Sequence, residues 1–382
     1  MRVRGGAEAR FGPVVDAFRA NFVERGETGA ACCVYVDGTP VVDVQGGTTR
    51  SGAPYDERTV QVVFSVTKAI TTIATLAVAD AGLIDLDAPV GRYWPELGNG
   101  EATRLTVRAL MAHRAGLPAY DEALSRADVC ARRRVIEALE RQAPYWRPDS
   151  EHGYHAVTFG FLVDEIVRRA TGRTVSAVVT ELAAQLGGAD LWIGFPTAQH
   201  HRLAPAELLA RPVPPEAIER LRAFAPGTLA GRALTLDGAL PLGPDEIAYN
   251  EPAVLTSHLP GSGGVASARS LARLFAATIG PVDGVRLISA EVLDAATKPL
   301  SSGTDRILGV ETRFGTGFML PGPELPLLTP HSFGHPGAGG SLAMADPELG
   351  ASLAYTTVAM GPHLVSDPRA TALVDAVRRC LR

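Results

Sequence analysis

A chain of 382 residues, 46% hydrophobic and 20% charged, has room for about two domains around a sizeable core. Its net charge of −5 gives no reason to expect nucleic acid or an anionic membrane as partner. No run of about 18 apolar residues suggests a membrane span, and residues Met1 to Glu8 lack a signal-type apolar stretch. Cys32, Cys33, Cys130 and Cys380 fall in no zinc-like spacing. The expectation is a cytoplasmic protein with reduced thiols, no metal and no cofactor. Cys32 and Cys33 sit in a predicted strand, so their side chains should point to opposite faces.

In chain order, Phe11, Val14, Val15, Phe18 and Phe22 have helical spacing and predict a helix from Phe11 to Arg25. Ala30 to Val36 and Pro40 to Gln45 read as strands around Asp37-Gly38, a strong hairpin signal. Ser65 to Ala81 reads as a helix stopped by Gly82, with Ser65 in its first turn. From Asp85 to about Asn250, helical segments alternate with loops rich in proline and arginine. The strongest runs from Thr158 to Thr171, with Phe159, Leu162, Val163, Ile166, Val167 and Ala170 on one stripe and Gly172 behind it. Ala204 to Pro215, with four prolines, reads as a loop-rich connection. Beyond Pro260 come a helix (Ser267 to Ile279) and four strands (Gly315 to Leu320, His331 to His335, Ser341 to Asp346, Ala351 to Met360). Pro347-Glu348-Leu349-Gly350 makes a turn between the last two, and Asp367 to Leu381 forms a closing helix.

Strands near both ends predict one antiparallel sheet flanked by helices, an α/β (α+β) fold. Residues 1–84 and 255–382 would build it discontinuously, with residues 85–254 as an inserted, mostly helical domain. A cleft between the two parts is a natural place for a site.

Of the 36 basic residues only Lys68 and Lys298 are lysine. Arginine does not lose its proton in a protein, whereas a desolvated lysine does. Lys68 stands in Ser65-Val66-Thr67-Lys68, and positions three apart share a helix face, so its amine can reach the Ser65 hydroxyl. Burial would lower its pKa from the ordinary 10.4 or so and let it take the serine proton. The helix start also offers free N–H groups to an oxyanion. The alternative is a capping serine beside a solvated lysine, and the pair alone leaves both open.

Tyr154 precedes the strongest helix, in a loop where it can project into a cleft. A phenolate costs less beside an ammonium, so Tyr154 and Lys68 would share one proton. The alternative is a packing tyrosine at a helix entrance. Phe333-Gly334-His335-Pro336-Gly337-Ala338-Gly339-Gly340-Ser341 lets backbone approach a ligand closely and offers the Ala338 N–H as a second oxyanion donor. Its alternative is a glycine-rich turn between strands.

Ser65-x-x-Lys68, Tyr154 in Gly-Tyr-His-Ala-x-Thr-x-Gly, and His335-x-Gly337 together resemble the serine β-lactamase-like family. The resemblance is closest to the esterases and acyltransferases related to class C β-lactamases. Phe64 to Lys68, Thr106 to Pro118 and Leu259 to Gly264 also look like family signatures, in the family's order, from about residue 30 to 360. The resemblance implies a β-lactamase/transpeptidase-like fold. It implies Ser65 as nucleophile, Lys68 and Tyr154 as its activating pair, and the Ser65 and Ala338 N–H groups as oxyanion hole. It places His335, with Gly337, where many β-lactamases have the lysine of Lys-Thr-Gly. Tyr154-His155-Ala156 replaces the Tyr-x-Asn of class C β-lactamases. Both departures point away from β-lactams.

His152 and His155 flank Tyr154 and are candidates for shaping the substrate site. Lys298 and Arg132-Arg133-Arg134 read as surface groups. The chain lacks Gly-x-Ser-x-Gly, His-Glu-x-x-His and a phosphate-binding loop. The expected function is serine hydrolysis of a small-molecule ester or amide through a covalent acyl-enzyme. The alternative is transfer of that acyl group to an amine or alcohol in biosynthesis. A silent binder that keeps the fold is the third reading, against which the intact Ser65, Lys68 and Tyr154 argue.

Overall fold

The computed structural model describes residues 3–210, 224–225 and 227–382. Six strands form one antiparallel sheet in the spatial order Val3–Ala7, Thr39–Gly47, Gly29–Val36, Ala351–Thr357, Leu342–Asp346, Phe333–Pro336. The first three come from the start of the chain and the last three from its end. Asp37 (φ 47°) and Gly38 (φ 76°) both take the left-handed conformation that a two-residue hairpin turn needs. Tyr355 pairs with Cys32 and Leu342 with Tyr355, so the two ends of the chain are locked in register at the centre of the sheet.

Both faces of the sheet are covered. Helix Ala268–Ile279 packs on one face, and helices Gly12–Glu24 and Pro368–Leu381 pack together on the other. Cys33 and Ala354 belong to the first core, and Cys32, Val34 and Tyr355 to the second, as period-two alternation requires. All four cysteines are unpaired. Among the described residues no helix is long and apolar enough to cross a membrane.

The helix after Ser65, Val66–Asp80, is buried on nearly every side. Apart from Lys68 and Asp80 it carries no charge, and an all-round apolar helix belongs inside a protein. It lies between the edge strand Phe333–Pro336 and helices Thr158–Thr171 and Val175–Gln185. Among the described residues of the stretch 85–254, helices such as Arg133–Arg141, Thr158–Thr171 and Val175–Gln185 are joined by long loops, and two short strands tie the stretch to the rest. Leu191–Ile193 joins Gly264–Ala266 and Gln61–Val62 in a three-stranded sheet. Glu207–Leu208 pairs in parallel with Ala359–Met360, so the predicted loop from Ala204 contains a strand, and its residues 211–215 lie outside the described residues.

Two predicted strands differ. The run Ala351 to Met360 breaks at Val358, where the chain leaves one sheet for the other. Gly315 to Leu320 is not a strand: Gly317 turns with φ 77° against Thr72, and the pairing falls earlier, in the hairpin Ser301–Thr304 with Glu311–Phe314. That hairpin is polar and lacks the alternation that marks a strand in sequence.

Candidate active site

Ser65 is the residue immediately before the buried helix, and its side chain makes no capping hydrogen bond. Phe64, just ahead of it, is held at φ 46°, a left-handed conformation unusual for an aromatic residue and a local store of strain. Lys68 is fully buried. The capping serine and the solvated lysine are therefore both absent from the folded protein. Lys68 Nζ lies 3.2 Å from Ser65 Oγ, donates to the Gly261 carbonyl at 2.8 Å, and donates to the Ala156 carbonyl. Burial alone pushes its pKa well below the ordinary lysine value. A neutral amine has two N–H groups and one lone pair. With both N–H groups spent on carbonyls, the lone pair is left for the Ser65 hydroxyl.

Those carbonyls are brought in by close backbone contacts. A Cβ on Gly160 would sit 2.0 Å from the Gly261 nitrogen, so only glycine lets the Thr158–Thr171 helix and the Pro260-Gly261 segment meet. Thr71 Oγ1 donates to the Pro260 carbonyl at 2.6 Å, and Thr67 Oγ1 accepts from the Gly264 N–H at 2.8 Å. Side chains of the lysine's own helix thus fix the segment that holds the lysine.

Tyr154 is buried, and its side chain hydrogen-bonds Ser65. Lys68 Nζ stands 4.7 Å from the centroid of its ring. Burial raises the phenol pKa, only partly opposed by the Ser65 hydrogen bond. Burial pushes both groups toward their neutral forms.

Three consecutive backbone N–H groups fix the segment carrying Tyr154. The Gly153 N–H donates to the His113 carbonyl at 3.2 Å. The Tyr154 N–H donates to Asp305 Oδ1 at 2.9 Å, and the His155 N–H to His113 Nδ1 at 3.1 Å. Asp305 is fully buried and also accepts the Ile307 and Leu308 N–H groups at 2.9 Å each. Its pKa is raised by burial, against which these N–H groups act. His113, at φ 63°, packs its ring 5.1 Å from that of Tyr154. Nothing in the sequence pattern marks Asp305, because its partner is 151 residues away. His113 lies in the Thr106 to Pro118 signature, where its position was the available signal.

The glycine-rich segment supplies the opposite lining. Among the described residues the N–H groups of Ser65 and Ala338 donate to no protein acceptor, which leaves both for a ligand oxygen. A Cβ on Gly337 would come 2.2 Å from Ser341 Oγ and 2.4 Å from the Val63 carbonyl. Gly337 is therefore required for close approach to the Ser65 strand-helix junction, and it does not line the Ser65 cavity. Behind the segment Arg369, almost fully buried, donates to the Gly339 carbonyl at 2.6 Å and pairs with Glu27 and Asp367 at 3.0 and 2.9 Å.

Of the predicted histidines, His335 lines the Ser65 cavity. Its Nδ1 donates to the Pro336 carbonyl at 2.6 Å, and burial pushes its pKa down to about 3. It is neutral at physiological pH and carries no charge to offer a carboxylate. His152 and His155 do not line the cavity. His155 spends Nδ1 on the Gly153 carbonyl and Nε2 on the Leu117 N–H, and His152 Nε2 contacts Thr312 Oγ1 at 2.9 Å. Both hold the Tyr154 segment in place, which corrects their expected substrate contact. Tyr249 and Ser262, hydrogen-bonded at 2.8 Å, line the cavity instead.

A doubly covered antiparallel sheet with a serine-led buried helix against its edge is the β-lactamase/transpeptidase-like fold. Residues 14–377 match the family model described as Beta-lactamase. The chain is 36% identical over 367 residues to the Esterase/beta-lactamase LipL of Mycobacterium tuberculosis, covering 92% of this chain and 82% of that one. A solved family VIII carboxylesterase superposes with TM-score 0.87 at 30% identity, over 100% of both chains. A penicillin-binding protein homolog from Caulobacter crescentus gives TM-score 0.87 at 32% identity, again over 100% of both. The chain belongs to the beta-lactamase family.

Proposed function

We propose that the protein is a serine hydrolase that cleaves small-molecule esters through an acyl-enzyme on Ser65. The observation that carries this reading is the desolvated Lys68 amine, its two N–H groups spent on carbonyls and Ser65 Oγ 3.2 Å away. Ser65 Oγ attacks the ester carbonyl carbon as its proton passes to Lys68. The carbonyl electron pair moves to oxygen, which the Ser65 and Ala338 N–H groups receive. On collapse the carbon–alkoxy bond breaks, Tyr154 gives its proton to the leaving oxygen, and the proton held by Lys68 restores the tyrosine. Water repeats the sequence in reverse and releases the acid.

Esters are favoured over β-lactams because neutral His335 supplies no cation for a β-lactam carboxylate. The cavity walls, with Phe64, Val157, Leu308 and Met319, are largely apolar. Such walls also favour an alcohol or amine as competing acceptor, so transfer accompanies hydrolysis when one is abundant. The helical residues 85–254 and the sheet-building residues 1–84 and 255–382 are the two parts that meet at this cleft. The four free cysteines fit a reducing, cytoplasmic setting.

The test is treatment with an activated fluorophosphonate followed by intact mass. One adduct on the wild type and none on Ser65→Ala is expected. An unmodified wild type, or an adduct that survives in Ser65→Ala, refutes the assignment. Aryl-ester turnover with and without added amine then separates hydrolysis from transfer.

A further inference from the structure

A second cavity, about 650 Å³, lies against the Ser65 cavity, which measures about 210 Å³. Leu242, Ala338 and Leu364 line both, so they form the waist between the two chambers. Ala338 is the proposed oxyanion donor, which puts the scissile carbonyl at that waist. Beyond it the walls are mostly apolar, with Leu209, Met360 and Pro362 among them. Their charged neighbours are already spoken for. Asp367 and Arg369 pair at 2.9 Å, and Arg25 at the rim contacts Asn21 and Glu24, each at 3.4 Å. Among the described lining residues the far chamber thus has apolar volume, no unpaired fixed charge and one histidine, His363, which suits an aliphatic occupant.

The chemistry of the first chamber decides which half of an ester goes there. Tyr154 must reach the leaving oxygen, so the alcohol half stays beside Tyr154 and Met319. The carbonyl oxygen occupies the space between the Ser65 and Ala338 N–H groups. The remaining substituent of the carbonyl carbon is the acyl chain, and its open direction is past Ala338 through the waist. We propose that the far chamber is the acyl-chain site, and that the enzyme selects esters of medium-length, unbranched aliphatic acids over acetate. This rests on the serine-hydrolase reading above, from which its failure can be told apart.

The experiment is a ladder of p-nitrophenyl esters from acetate to dodecanoate on the wild type, Leu364→Trp and Leu242→Trp. Leu364 and Leu242 are both part-exposed, so an indole at either can fill the waist, and Leu364, unlike Leu242, is not packed against the main core. In the wild type kcat/KM rises at least about tenfold from acetate to octanoate, since each methylene buried in an apolar site adds selectivity. In both tryptophan variants the octanoate-to-acetate ratio collapses by a similar factor. Active-site concentration is set for each protein by fluorophosphonate titration, so a misfolded fraction does not distort the ratio. A wild-type profile flat or falling beyond butyrate overturns the acyl-chain site, as does a ratio that the tryptophans leave unchanged. A wild type that neither labels nor turns over any ester refutes the hydrolase reading, and the chain site with it. A reciprocal ladder of acetate esters of longer alcohols should show no dependence on Leu364; a dependence there assigns the far chamber to the alcohol half and overturns the proposal.

Discussion

Tyr154 and Ala338 line the same cavity, yet their segments are anchored by different physics. The Tyr154 segment hangs from backbone N–H groups given to the His113 carbonyl, a histidine nitrogen and one carboxylate, Asp305. The Ala338 segment leans on an ionic cluster in which Arg369 spans Glu27, Asp367 and the Gly339 carbonyl. The first is made of several modest bonds and survives the loss of one. The second concentrates charge in a dry place, so removing its cation leaves two buried carboxylates facing each other. Lys68 stands between the two kinds of support: desolvated like the ionic cluster, yet relieved by going neutral instead of by pairing.

That distinction can be broken at three points and sharpened at a fourth. Lys68→Arg puts a permanent cation where a neutral amine belongs. Acylation should fall by about 10³-fold or more, read by stopped-flow ester hydrolysis with circular dichroism to confirm the fold. An active arginine variant removes Lys68 as base. Arg369→Met should cost about 3–5 kcal/mol of stability in urea titration and slow turnover with it, because Glu27 and Asp367 lose their cation. A variant as stable as the wild type means the cluster supports nothing. Asp305→Ala leaves three N–H groups without their acceptor and should cost about 1–3 kcal/mol. Asp305→Asn keeps an acceptor oxygen and should restore most of both stability and kcat. Equal damage from the two would show that charge, not hydrogen bonding, holds Tyr154.

The smallest effect is one of pH. Burial pushes His155 and His335 down to about 3 from an ordinary 6.5. Between those values the unfolded chain binds protons that the folded one refuses, so stability rises with pH across the window and is lost as pH falls through it. Thermal midpoints should drop from pH 6.5 toward 3.5, and His155→Gln should flatten part of that slope. An identical slope in the variant would mean that other groups set it.

Ser65, Lys68 and Tyr154 were legible because their spacing and order carry chemistry along the chain. The hairpin at Asp37-Gly38 and the helix Thr158–Thr171 were legible because their signals are local. Asp305, Arg369 and the clamp by His113 were not, since each acts on a partner far away in sequence. His152 and His155 illustrate the converse error: adjacency to Tyr154 suggested substrate contact, but residues flanking an inward side chain tend to hold its backbone. The strand expected at Gly315 to Leu320 failed for a related reason. Apolar content marked burial there, and Gly317 used that burial for a turn against Thr72 while Gly315 packed against the Ala296 carbonyl.

The partners of the Lys68 amine lie 3, 88 and 193 residues away along the chain. No early-folding fragment holds all of them. In an incomplete fold the amine is hydrated and charged, and the serine beside it stays inert. Completing the fold dries the amine and expels its proton to solvent between its lowered pKa and the ordinary 10.5. The nucleophile is therefore armed only when Ser65, Ala156 and Gly261 have all been brought to the amine, and a chain that has not yet gathered them carries no acylating serine.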